Sequence, residues 1–143
     1  SSLNAEWNDF RDWLEKINQD CALSEFRLVE GNHDILPDHA FDGMSIQRCT
    51  SWSKGPFEFV HDSADFSTVR SPGKIGVAGH LHPAFLLQGK AKQQLRLPGW
   101  WFQRENQALI MPNFGTFTGS SAVKMKAGDQ FWITTEESVM LAN

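Results

Sequence analysis

Apolar positions recur at helical spacing only at the start of the chain. Trp7, Phe10, Leu14 and Ile17 share one stripe, Trp13 widens it, and acids and bases fill the other face. Asn4 is read as the N-cap, with Glu6 in the first turn. Such a helix packs against a sheet and carries no chemistry. After Asp20 the pattern shortens into strands. Phe26-Arg27-Leu28-Val29 runs straight into Gly31-Asn32-His33-Asp34. Residues 44–49 alternate with period two, as does the start of 57–61, and Pro72-Gly73 marks a turn. Ile75-Gly76-Val77-Ala78-Gly79 is a strand of small residues leading into His80-Leu81-His82-Pro83. Further strands are expected at 84–87, 94–97, 108–111 and 130–134. One helix followed by many strands predicts the α+β class, with a largely antiparallel sheet in a single domain spanning 1–143.

Length and composition narrow the picture little. A chain of 143 residues with 41% hydrophobic positions buries a core and is not disordered. No apolar run is long enough to cross a bilayer and no signal pattern opens the chain, so a cytoplasmic protein without a membrane role is expected. Because the chain does not begin with Met, its start is expected to be trimmed, tagged or internal to a longer protein. The net charge of -4 gives no global case for nucleic acid. Its distribution is uneven: residues 66–104 contain Arg70, Lys74, Lys90, Lys92, Arg96 and Arg104 and no acid. That segment is either a solvated face or an anion-attracting rim. Cys21 and Cys49 lack a metal-type spacing and are expected to be reduced thiols.

The histidines carry most of the chemical signal. His33, His61, His80 and His82 all sit at predicted strand ends, and neutral imidazole is the commonest metal ligand. His80 and His82 are two apart and would project from one face if the segment is extended, with Pro83 ending the ladder. An H-x-H pair alone is more often structural. In Gly31-Asn32-His33-Asp34 the Asn carbonyl suits a divalent ion. His33 could protonate a leaving group or bind a phosphoryl oxygen, and Asp34 could fix its ring. Gly, Asn and Asp also make ordinary turns.

A strand entering GNHD, a strand ending in His and a strand entering GHLH, in that order, resemble the second half of the calcineurin-like, two-metal phosphoesterases. Gly79 to Pro83, Leu95-Arg96-Leu97-Pro98, Trp100-Trp101-Phe102 and the segment from Met111 to Gly119 point further. They are most similar to bacterial metallophosphoesterases associated with DNA ligases and helicases in DNA repair. The similarity runs from about Phe26 to Thr134. It implies an αββα sandwich of which this chain would form the second half. It also implies that Asn32, His61 and His80 ligate one ion and His82 the other. His33 would be the catalytic or phosphate-binding residue and Asp34 its partner. Two ions would polarise the phosphoryl group and generate the nucleophile.

The sequence departs from that family at one decisive place. No D-x-H motif and no G-D strand unit precede Gly31, so the carboxylate that bridges both ions is missing. Asp38-His39 follows GNHD, in the wrong order, and His39 is assigned to a loop. Asp62 stands after His61 where many members have Gly. The expectation is at most one well-held ion, Mn²⁺ or Zn²⁺, and weak or no hydrolysis by this chain alone. Phosphodiesters, nucleic acid among them, are the substrates the resemblance implies. A regulatory relative that keeps part of the site, or a small structural metal-binding domain, are the other classes. Trp100, Trp101, Phe102, Phe114 and Phe117 are read first as core. Lost strands would leave open edges, so either a homodimer, with the helix exchanged, or a missing N-terminal half is expected.

Overall fold

The computed structural model describes residues 2–21, 26–32, 37–44, 46–89, 93–114 and 119–142. The chain forms two compact units, Ser1–Cys49 and Thr50–Asn143. The composition is α+β, as its pattern predicts: one long helix, then short strands.

In the first unit the helix α1 spans Ser2–Cys21 and starts before Asn4, which is therefore inside it rather than its cap. Its stripe is largely aromatic. Trp7 stacks on Phe10 at 5.3 Å and meets Phe41 edge-on at 5.1 Å, and its indole N–H donates to the Ala40 carbonyl at 3.2 Å. Leu14 is buried on the same stripe. Strands β1 (Phe26–Val29) and β2 (Ile46–Cys49) pair in parallel, with Phe26 opposite Ile46. A 3-10 turn at Asp38–Phe41 lies between them and carries His39, exposed. Glu30 and Arg48 form an ion pair beside β2, and the Arg48 guanidinium lies over the Phe41 ring. Cys49 is a free thiol whose pKa is pushed up, chiefly by burial, so it stays protonated at neutral pH.

The second unit is built on one mixed sheet. Strands β3 (Ser51–Lys54), β4 (Phe57–Val60), β5 (Ile75–Ala78) and β6 (Pro83–Gln88) are followed by β7 (Gln94–Gln103), β8 (Ala108–Ile110), β9 (Ser121–Ala122), β10 (Gln130–Thr134) and β11 (Val139–Leu141). The order across the main path is β11-β10-β7-β8-β5-β4-β3, with β6 on β7 and β9 on β6. Most pairings are antiparallel, but β4, β5 and β8 run parallel to one another. Parallel neighbours need a crossover. The link from β4 to β5 is a 3-10 turn at Ser63–Asp65 that continues into the short helix α2 (Phe66–Val69).

The two sheet faces differ in their chemistry. One presents Val60, Ala78, Ala108, Ile110 and the crossover's Phe66 as a buried core with Trp101 against it. Gly76 makes that packing possible, because a Cβ there would lie 2.5 Å from the Phe66 ring. Buried Glu58 shares this face and is matched by Lys74 at 3.7 Å. The opposite face presents Phe57, Ile75, Leu109, Trp100, Phe102, Trp132 and Val139, which line an apolar groove of about 330 Å³. The aromatic run of β7 is therefore divided by strand alternation. Trp101 joins the core, while Trp100 and Phe102 line the groove.

Candidate functional site

Because β4, β5 and β8 are parallel and in register, Val60, Ala78 and Ile110 lie side by side and the chain leaves all three at one edge. In open sheets the carboxyl ends of parallel strands are where ligands are held. His61 is the first residue after β4, Gly79-His80 follow β5, and Met111 follows β8. Backbone bonds fix these exits to one another. The Gly79 and His80 amides both donate to the His61 carbonyl, at 3.1 and 2.9 Å, and the Met111 amide donates to Ala78 at 2.8 Å.

Two imidazoles meet at this edge. His61 Nε2 and His80 Nδ1 are 2.9 Å apart, and the rings stand edge to face with centroids 4.8 Å apart. Either one ring donates to the other, or both nitrogens offer lone pairs to a shared ion. At metal–nitrogen bonds of about 2.1 Å, this separation fits one edge of a coordination shell. Asp62 Oδ2 stands 3.9 Å from the other nitrogen of His80, while Oδ1 accepts from the Ala64 amide at 3.0 Å. The acid that departs from the family pattern thus caps the crossover and faces the pair. Its place was not legible beyond its adjacency to His61.

His82 is not where an extended H-x-H would put it. Residues 79–82 turn, Pro83 starts β6 instead of ending a ladder, and His82 adopts φ 50°. β5 ends at Ala78 and β6 starts at Pro83 beside β7, so the four residues between them bend the chain out of the β5 line, and left-handed His82 is part of that bend. His82 Nδ1 lies 3.2 Å from the Gly119 carbonyl.

Asn32 follows β1 in an exposed turn of the first unit. His33 and Asp34 lie outside the described residues. Of the predicted site residues, the second unit brings together His61 and His80. Among the described residues no group of three His, Cys, Asp or Glu could hold an ion. Among the described residues the pair thus offers two ligands to an ion.

The surrounding residues correct other expectations. Phe114, read as core, is 89% exposed, because it lies past the last ladder bond of β8; Phe117 lies outside the described residues. Three bases of the 66–104 segment tie the chain together. Arg70 donates to the Asn106 and Gln107 carbonyls at 2.5 and 3.1 Å, Lys74 pairs with Glu58 and Ser53, and Arg96 donates to the Ser120 carbonyl at 3.1 Å. Lys90 and Lys92 lie outside the described residues. No helix among the described residues is long and apolar enough to cross a membrane.

This strand arrangement has a counterpart among solved structures. The fold is similar to that of a nuclease. The crystal structure of nuclease MPE from Pseudomonas putida superposes with a TM-score of 0.61 at 24% identity, over 90% of this chain. The chain spans 59% of that nuclease. No protein-family profile and no curated protein matches the sequence.

Proposed function

We propose that this chain carries the histidine-bearing part of a metal-dependent phosphodiesterase of the calcineurin-like type, acting on nucleic-acid phosphodiesters. The observation that carries the reading is the His61–His80 pair, 2.9 Å apart at the exits of adjacent parallel strands. The fold likeness to a nuclease and the order GNHD, His, GHLH support it.

In this reading His61 and His80 ligate one divalent ion, Mn²⁺ or Zn²⁺, and His82 belongs to the second site. Such an ion supplies Lewis-acid polarisation of a phosphoryl oxygen. His33 and Asp34 are the residues to which the resemblance assigns phosphoryl binding or protonation of the leaving oxygen. The backbone bonds from Gly79 and His80 to His61 fix the spacing of the pair, so little ordering accompanies binding. The bridging carboxylate is absent from this sequence, and turnover by the chain alone is correspondingly poor.

Calorimetric titration of the purified chain with Zn²⁺ and Mn²⁺ tests this. We expect one ion per chain, with affinity lowered at least tenfold by His61→Ala and by His80→Ala, in line with loss of a ligand. Binding that neither substitution alters would remove the site. Hydrolysis of bis(p-nitrophenyl) phosphate with Mn²⁺ should be slow; robust turnover abolished by His33→Ala would show that the acid is supplied from elsewhere.

A further inference from the structure

The segment that begins at Gly119 is attached to His82 at two points. Gly119 offers its carbonyl to His82 Nδ1 at 3.2 Å. The Ser121 amide donates to the His82 carbonyl at 2.9 Å, and Ser121 then pairs in parallel with Pro83 as β9 runs beside β6. Between these, the Ser120 carbonyl accepts from Arg96 Nη1 at 3.1 Å. Arg96 sits on β7, opposite Leu86 of β6. Since β6 pairs with β7 and with β9, the guanidinium reaches across β6 to grip the segment on its far side.

A carbonyl oxygen can only accept, and a neutral imidazole has a single N–H. The contact with Gly119 therefore requires the proton on Nδ1 and leaves the lone pair on Nε2. A ligating histidine is commonly held this way, by an oxygen on its other nitrogen. The Gly119 carbonyl performs this only while its peptide keeps its orientation, and the adjoining peptide is fixed by a charged donor, stronger than a neutral one. We infer that Arg96 is a positioning residue for His82: by anchoring Ser120 it selects the Nδ1-protonated tautomer and presents Nε2 as the lone-pair donor. That Nε2 serves a metal rests on the function proposed above; the tautomer does not.

Long-range ¹H–¹⁵N correlation on the labelled full chain, at a pH where the imidazole is neutral, reads the tautomer directly. The wild type should show the Nδ1-protonated pattern for His82. Arg96→Ala should convert it to a mixture of both tautomers and speed Ser121 amide exchange on the order of tenfold, as for one lost hydrogen bond. Arg96→Lys keeps a charged donor and should restore much of the wild-type pattern, which a general loss of folding would not do. An Nε2-protonated His82 in the wild type, or an Arg96→Ala protein unchanged in both readouts, overturns the inference. If the tautomer responds as stated while Zn²⁺ does not bind, the phosphoesterase reading alone fails.

Discussion

A neutral imidazole has one lone pair, and whatever faces its second nitrogen decides where that lone pair is offered. His82 faces a carbonyl, whereas His80 stands between the ring of His61 and the carboxylate of Asp62. Side chains only two positions apart thus come under different control, one by backbone and one by side chains. Asp62 at 3.9 Å is beyond a hydrogen bond, so it acts on His80 through charge alone. Phe114 shows the converse, a side chain whose type says more than its surroundings. A core phenylalanine truncated to alanine loses about 3–5 kcal/mol. At 89% exposure Phe114 has little contact area to lose, so Phe114→Ala should change unfolding free energy by no more than about 0.5 kcal/mol. Urea denaturation of the two proteins decides between these values.

Strand β7 shows how an element can be hidden by its own sequence. Its period-two start was readable, but Pro98-Gly99 looks like a break, and the strand instead continues to Gln103. The Pro98 carbonyl accepts there from Thr134 Oγ1 at 3.2 Å. Glycine is required because a Cβ at Gly99 would meet the Trp132 backbone and the Phe131 ring. The far end of β7 is pinned by Asp129, which is buried and accepts from Trp101 Nε1, the Arg104 amide and the Lys126 amide at 3.1, 3.1 and 3.0 Å. Asp129→Ala strands three donors at once and should cost about 3 kcal/mol or more, read as a lower urea midpoint at unchanged slope. Strands β1, β4, β5 and β10 were legible to within a residue, since alternation and flanking turns mark them. Strands β3, β9 and β11 were not, being too short to show a period. Nor was the parallel pairing of β4, β5 and β8, which depends on crossovers and not on any local pattern. For the same reason the strand-end histidines were visible while the adjacency of His61 and His80 was not. The left-handed turn at His82 falsified the extended reading of H-x-H.

The second unit's sheet ends at β11, where Val139, Met140 and Leu141 are 62%, 50% and 54% exposed. An apolar edge without a charge, proline or bulge invites a further strand. Val139 also lines the apolar groove, so pairing of two such edges would join two grooves. Sedimentation at tens of micromolar should give a dimer of this chain, and Met140→Lys should weaken it by roughly tenfold or more. A clean monomer with cooperative unfolding would contradict this. One feature of the same sheet also governs how it is reached. Strand β8 enters between β5 and β7, neighbouring β5 in space but separated from it by residues 79–107. The β3–β4 and β7–β8 hairpins close over short loops, whereas β5 and β8 meet through only three residue pairs. Closing such a span loses chain entropy before any contact repays it. The zipping of β8 against β5 thus follows the local hairpins, and the exit of β8 reaches the histidine pair only when the chain has closed the span of residues 79–107.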